Sequence, residues 1–368
     1  MKNLLIIAPG FTAPWTEGRK NFIRDLIPYF KQHVNLGILN ANVGWQKIDS
    51  FLGPVTNYSH SAEKSIQLLS LYFSLKRLLK SSDRPDIIVH FPYGSFGGVR
   101  GVANYLSIAK THQLINDYGI PCLTVLYSMA GGDLQHLCEK IPNLATVKSK
   151  DWPGHVVNVG ININIENNLE IVKNDKKLLF IAGYQENKAS LLNSILHDRG
   201  LIDIIDIGEQ LAENGFCLTI SIPLLKHKKL RNELLSLLQK KAPSLPVKLE
   251  HEVNVYDSFS RNNLFIFPFR KNYNVFVSTS VLEAMSSGIP VIISNLPMFI
   301  PLIGTKNLFC GSYIAGEPSR LLEAILHACE NWDETIAKSK EAKEHVAKNW
   351  SIEKSAFQLM ELVDEMTK

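Results

Sequence analysis

The chain has no stretch approaching the roughly 18 apolar residues of a membrane-spanning helix, which argues against an integral membrane protein of the helical kind. Cysteine is scarce. Five occur in 368 residues, at positions 122, 138, 217, 310 and 329, with no C-x-x-C pair. That scatter argues against a zinc site and against a disulfide framework, and for reduced thiols. No low-complexity tract and no internal repeat occurs, so solenoids and disordered tails are excluded as the main architecture. The opening MKNLLIIAPG carries one Lys and a short apolar run broken by Pro9 and Gly10. It reads as a buried first strand, not a signal peptide. Together these absences predict a cytosolic protein.

What is present is a core-rich α/β pattern. Hydrophobic residues make up 45%, and the length exceeds a comfortable single core, so two domains are expected. Strand and helix alternate throughout, which predicts parallel sheets. The first half reads as strands at Lys2–Ala8, Val34–Leu39, Asp86–Phe91, Pro121–Leu126, Asn143–Val147 and Val156–Val159, with helices at Arg19–Lys31, Ala62–Leu79 and Gly101–Tyr118. An Asn-rich stretch at Asn162–Asp175 is the expected linker. The second half has strands at Lys177–Ala182, Phe216–Ile222, Val247–Leu249 and Leu264–Pro268, and helices at Leu201–Glu213, Leu230–Lys240 and Tyr256–Arg261. Such sheets place ligands at the carboxyl ends of their strands and in the cleft between the halves.

The net charge of +4 is uneven. Residues 1–165 hold 16 Lys and Arg against 10 Asp and Glu, an excess of +6. Lys76, Arg77 and Lys80 cluster at the end of an amphipathic helix, beside Leu75, Leu78 and Leu79. This predicts an anionic partner for the first half, such as a membrane surface met peripherally. An ordinary solvated helix end is the plainer reading of the same cluster.

The most informative stretch is VFVSTSVLEAMSSGIPVIISNLP, from Val275 to Pro297. A loop ends in Ser278, Thr279 and Ser280. A short helix follows, with Glu283 expected in its first turn. Gly288 and Pro290 mark its stop, and Val291–Ile293 a buried β-branched strand. A helix N-terminus presents N–H groups without intrahelical acceptors and a partial positive charge, which suits a diphosphate. A carboxylate one turn in can accept hydrogen bonds from a ribose diol. The segment therefore reads as a sugar-nucleotide site. Ser280-x-x-Glu283 is equally a capping box, in which Glu283 only caps its own helix.

LEAMSSGIPVI resembles the end of the donor-site motif of the retaining glycosyltransferases of family 4, which have the GT-B fold. Weaker likenesses agree in order along nearly the whole chain. LLIIAPGFTAPWTEGRKNFIRDLIPYF is similar to the family's opening strand, loop and helix. VVNVGIN is similar to the turn before the linker, VNVYDSFSRNNLFIFPF to the segment leading into the donor motif, and NWSIEKSAFQLMELVDEM to the final helix. The resemblance implies two Rossmann-like, doubly wound domains facing a cleft. Residues 1–165 would serve the acceptor, residues 166–345 the nucleotide-sugar, and residues 346–368 would pack back towards the first domain. It implies transfer of a sugar, with retention, from a nucleotide-sugar donor to a glycan or lipid-linked acceptor. The only small molecule required is the donor. Family members of this fold use cationic side chains and helix N-termini rather than a D-x-D metal clamp, and this chain has no D-x-D, so no metal is assigned. Nucleic acid is not an expected partner.

By that resemblance Glu283 binds the ribose, and Ser278, Thr279 and Ser280 supply hydroxyls and N–H groups to the donor. The family's Arg after the glycine of the first donor-side loop is absent, because Tyr184 follows Gly183. Arg199-Gly200 stands in place of its Lys-Gly pair, so Arg199 is the favoured phosphate ligand, with Lys188 second. Arg270 follows the buried run FIFPF and is a further phosphate candidate. For each of these cations an exposed loop charge is the alternative reading. Val275 stands where the family's first motif carboxylate belongs, and Tyr127 or Ser128 where a His is common. Asp133 or His136 is the alternative to that His. Gly18 lets backbone approach the donor closely. FPYGSFGGVRG, 91–101, reads as a tight turn lining the acceptor side. These departures keep two rivals open: a silent GT-B protein binding a nucleotide or partner, and a GT-B nucleotide-sugar epimerase.

Overall fold

A computed structural model describes residues 1–11, 18–42, 56–57, 60–61, 67–92, 98–127, 143–146, 155–163, 175–183, 189–251, 254–271, 278–299 and 307–367. The chain divides into two compact units. One holds residues 1–162 and 350–368, the other most of residues 163–349.

The first unit begins β1 (Asn3–Ile7), α1 (Gly18–His33), β2 (Asn35–Leu39), β3 (Ala41–Asn42), β4 (Thr56–Asn57), β5 (His60–Ser61), α2 (Gln67–Leu79), β6 (Ile87–His90) and α3 (Gly98–Asp117). It continues with β7 (Cys122–Leu126), β8 (Leu144–Thr146) and β9 (His155–Val156). Seven strands form one sheet in the order β4-β2-β1-β6-β7-β8-β9, all parallel. The strands are apolar on both sides because both faces are covered. Leu4 and Ile6 face α1, through Phe22, Ile23, Leu26, Ile27 and Phe30. Leu5 and Ile7 face α2 and α3, through Leu71, Leu75, Leu114 and Ile115.

The second unit runs β10 (Lys177–Ile181), α4 (Ala189–His197), α5 (Leu201–Asp206), α6 (Gly208–Glu213), β11 (Cys217–Ser221), α7 (Lys228–Lys241), β12 (Val247–Glu250) and α8 (Val255–Ser260). Then come β13 (Leu264–Phe267), α9 (Thr279–Ser287), β14 (Val291–Ser294), β15 (Gly311–Tyr313), α10 (Pro318–Glu330) and α11 (Trp332–Asn349). Its sheet has the order β12-β11-β10-β13-β14-β15, again all parallel. The final helix, α12 (Ile352–Glu365), belongs to the first unit. Ser351 caps it by accepting from Lys354 N at 3.2 Å, and Ile352, Ala356, Leu359 and Val363 join the core beside α1. Its start is pinned to the strand-like residues before the linker. Ile161 N donates to Trp350 O and Ile352 N to Ile161 O, both at 2.9 Å. Gly160 is needed there, because a Cβ would stand 2.4 Å from Ser351 O.

Three expectations are corrected. The loop expected between Ala182 and Arg199 contains α4, whose Leu192 and Ile195 are buried in the core. The helix expected over Leu201–Glu213 is two helices broken at Ile207. The break lets Gly208 meet the end of α7, where a Cβ would lie 2.3 Å from Ala242 Cβ. On α2, Leu75, Leu78 and Leu79 are buried against the sheet rather than lying beside the basic cluster at the surface. No described helix is long and apolar enough to cross a membrane.

Candidate functional site

In each sheet the connections reverse direction once, between β1 and β6 in the first unit and between β10 and β13 in the second. These switch points, at the carboxyl ends of the strands, are where doubly wound sheets hold ligands.

In the second unit, α9 lies between β13 and β14. Ser278 is its N-cap, with extended backbone (φ −74°, ψ 119°). The Ser278 carbonyl accepts from Val281 N and Leu282 N, each at 3.1 Å. The N–H groups of Thr279 and Ser280 then have no acceptor inside the helix, and they sit at its positive end. Ser280 is the second helical residue. It cannot serve as cap, so Ser280-x-x-Glu283 does not form a capping box. Glu283 is the fifth helical residue, in the second turn rather than the first, and it is half-buried. Its neighbours Val281, Leu282, Ala284 and Met285 are fully buried. The helix closes at Gly288 in the left-handed region (φ +86°), whose N–H donates to Met285 O at 3.1 Å.

The structure brings Arg199 and Arg270 together. Asp198 N and Arg199 N both donate to Ser194 O at 2.9 Å, which turns the chain out of α4. Gly200 follows with φ +71°, and a Cβ on it would stand 1.7 Å from Pro268 O. The Arg199–Gly200 corner therefore abuts the end of β13. Arg270 N donates to Asp198 O at 3.0 Å across the same junction. The Arg199 guanidinium lies 4.6 Å over the Phe269 ring, and Phe269 stacks on Phe267 at 3.9 Å. A guanidinium over an aromatic face is attracted by the ring quadrupole.

Arg270 is held differently. Its Nε donates to Asp203 Oδ1 at 2.8 Å, and its Nη2 donates to the same oxygen. Tyr313 OH donates to Asp203 Oδ2 at 3.1 Å. Asp203 is fully buried, and Arg270 is partly exposed. Two of the three guanidinium nitrogens are thus committed to Asp203. That bond holds the Arg270 proton more tightly than usual, and burial followed by the Asp203 charge raises the Tyr313 hydroxyl. Sequence reasoning missed Asp203 and Tyr313. An acid inside the apolar run Leu201–Ile205 was the available signal, since a buried carboxylate demands a partner.

In the first unit, Tyr127 follows β7 and packs its ring on Phe22, centroids 5.7 Å apart. Gly18 is the first residue of α1. The next residue, Arg19, is 2% exposed and was also missed. Its Nη1 donates to Phe91 O at 3.0 Å and its Nη2 to Pro9 O at 2.8 Å, bridging the ends of β1 and β6 at the switch point. Behind it lie His90 and His112, ring centroids 6.2 Å apart. His112 Nε2 is hydrogen-bonded to Thr124 Oγ1. Burial, then His112 and Arg19, pull the His90 imidazole down to about 3, and burial pulls His112 to about 4. Both are neutral at pH 7. Lys188, Ser128, Asp133, His136, Val275 and residues 93–97 of the 91–101 segment lie outside the described residues.

No family model matches the sequence, and no curated protein matches it. Solved structures do match the fold. A glycosyltransferase from Rickettsia africae superposes over 100% of this chain and 99% of its own, with a TM-score of 0.72 at 12% identity. The chain has the GT-B fold. HepE of Anabaena, crystallised with UDP, covers 99% of this chain and 100% of its own at TM-score 0.70 and 13% identity. Sucrose-phosphate synthase of Thermosynechococcus elongatus covers 100% and 99% at TM-score 0.69 and 12% identity. A GT-B chain presents two Rossmann-like units, so the switch points of both sheets are the places to look for chemistry.

Proposed function

We propose that the chain is a glycosyltransferase taking its sugar from a nucleotide-sugar. The acceptor in this reading is a glycan or a lipid-linked saccharide, the transfer is retaining and metal-independent, and the site of action is cytoplasmic. The observation that carries the reading is the α9 N-terminus, whose first N–H groups have no acceptor inside the helix, with half-buried Glu283 one turn behind it. The full-length likeness to solved glycosyltransferases, one of them holding UDP, supports it.

The chemistry asks for stabilisation of a departing nucleoside diphosphate. The free-end N–H groups of Thr279 and Ser280 and the positive end of α9 suit the phosphates, with the Ser278 hydroxyl beside them. Glu283 takes the ribose diol. Arg199, stacked on Phe269, and Arg270, held by Asp203, supply positive charge, with Lys188 as a further candidate. The leaving phosphate can accept the acceptor's proton, so no strong protein base is required. Tyr127 belongs to the acceptor side, and Gly18 lets the main chain approach the donor closely.

A thermal-shift panel of UDP-, GDP- and ADP-sugars tests this directly, since a ligand that binds the native state raises its melting temperature. One donor should shift the wild type. Glu283→Gln should keep the fold but lose roughly 1.5–3 kcal/mol of donor binding, because a charge-assisted acceptor becomes a neutral one. Transfer should survive EDTA. Binding without turnover would instead favour the silent protein, and donor conversion without acceptor the epimerase. No shift with any donor and no turnover would end the transferase and the epimerase and leave only a silent protein that binds a partner.

A further inference from the structure

On α2 and the residue that follows it, Leu69, Phe73, Lys76 and Lys80 recur at spacings of four, three and four, which puts them on one stripe. Leu69 is 57% and Phe73 58% exposed, far above what large apolar side chains usually show. Lys76, Arg77 and Lys80 are exposed on and beside the same stripe. The neighbouring α3 repeats the arrangement, with Leu106 54% exposed and Lys110 exposed one turn later. The two helices pack on the same face of the sheet. Their apolar tips and their cations therefore form one surface.

Among the described residues of α2 and α3 the charge on that surface is almost all positive. Gln67–Lys80 contains no acid, and α3 contains one, Asp117, at its last position. Asp83 lies beyond the end of α2. None of Lys76, Arg77 and Lys80 makes an ion pair among the described residues. Burying Leu69 and Phe73 against the body of the protein would have been the ordinary solution, and Leu71, Leu75, Leu78 and Leu79 on the opposite side of α2 take it. Apolar tips beside exposed cations complement the headgroup region of an anionic bilayer, where rings and aliphatic chains enter the acyl boundary and lysines meet phosphates. A protein partner would need matching acids.

We infer that the outer face of α2 and α3 is a peripheral docking surface for anionic lipid, with Leu69, Phe73 and Leu106 inserting and Lys76, Arg77, Lys80 and Lys110 holding the headgroups. Both helices precede the strands they feed and run antiparallel to them, so the apolar tips of α2 lie towards the carboxyl edge of the sheet. The inference stands on exposure and charge, independently of the transfer reading, and it can fail while transfer survives.

Flotation of the full chain with vesicles of phosphatidylcholine alone, or of phosphatidylcholine mixed with phosphatidylglycerol, tests it. The wild type should float with the anionic vesicles and lose binding as salt rises. Changing Lys76, Arg77 and Lys80 to Gln should lower partitioning by about five-fold per residue, or about 100-fold together. Phe73→Ser with Leu69→Ser should lower it without changing the salt dependence. All five side chains are exposed, so melting by circular dichroism should match the wild type. Equal flotation with both vesicle types, none with either, or binding indifferent to these substitutions overturns the inference. So does a lipid-free dimer in sedimentation that Phe73→Ser dissociates, which would make a second copy the occupant.

Discussion

Two sheets of the same winding treat their buried polar groups in opposite ways. In the second unit a carboxylate, Asp203, is fully buried and compensated by Arg270 and Tyr313. In the first unit a guanidinium, Arg19, is bonded to the main-chain carbonyls of Pro9 and Phe91, and the titratable groups behind it, His90 and His112, are kept neutral. Burial disfavours the protonated form of both rings, and for His90 the neighbouring His112 and Arg19 add to it. The frame does not dictate the electrostatics. The second unit buries one member of a charge pair, and the first keeps two buried rings uncharged.

The largest effect should come from breaking the pair. Asp203→Ala leaves Arg270 and Tyr313 without their acceptor and should cost about 3–5 kcal/mol. Replacing the group with apolar side chains, Asp203→Leu with Arg270→Met and Tyr313→Phe, should recover most of that loss. Hydrogen exchange resolves where the loss falls. Amides of β10, β13 and β15 should lose protection while those of β1 and β6 keep theirs. Equal loosening of both sheets would mean the two units do not unfold separately.

Acid should act on the other unit. For His90 and His112 the folded-state values, about 3 and about 4, lie below the ordinary 6.5. The unfolded chain therefore binds protons first as pH falls. Their stabilisation is complete above about 6.5 and is lost as pH drops towards 4, at about 1.4 kcal/mol per histidine per pH unit. By about pH 5 the two together should cost roughly 4 kcal/mol. Asp25, raised by burial despite Arg24, works in the opposite sense and regains stability as it protonates. His90→Gln with His112→Gln should flatten the urea midpoint between about pH 7 and 5. A midpoint that stays as acid-sensitive in the double variant would place the titrating groups elsewhere.

The contrast was only partly legible in the sequence. Strand and helix alternation, the buried β-branched runs and the Gly288 stop follow from local pattern, and all appear in the fold. Helix α4 did not, because nine residues between a glycine loop and Arg199-Gly200 look like connection until Leu192 and Ile195 find a core. The partners of Asp203 lie 67 and 110 residues away, and no local periodicity encodes such pairs. The buried face of α2 was not legible for a related reason. QLLSLYFSLKRLL is apolar nearly all round, so only the packed sheet decides that Leu75 faces in and Phe73 out. At the α9 site the serines and Glu283 were visible, but the cap position was not. Three consecutive hydroxyl residues can each cap, and the observed start at Thr279 moved Glu283 out of the capping box.

Two glycines of the second unit sharpen the comparison without touching a charge. Gly200 and Gly288 both have positive φ, so an alanine at either position costs roughly 1 kcal/mol or a little more in backbone strain. At Gly200 the Cβ would also stand 1.7 Å from Pro268 O, a main-chain atom that cannot rotate away. Gly200→Ala should therefore cost about 3 kcal/mol and displace the Arg199 corner from Phe269, weakening donor binding as well. At Gly288 the nearest atom is Lys343 Cδ at 3.6 Å, an ordinary contact with a flexible side chain. Gly288→Ala should cost only the conformational share, about 1 kcal/mol, and leave nucleotide affinity unchanged, because Gly288 closes α9 at the end away from Ser278. Chemical denaturation and calorimetry on the two variants give both numbers. Equal costs would mean that the end of β13 yields to the new methyl group, and the junction between Gly200 and Pro268 would then not be the rigid element that fixes Arg199 beside Arg270.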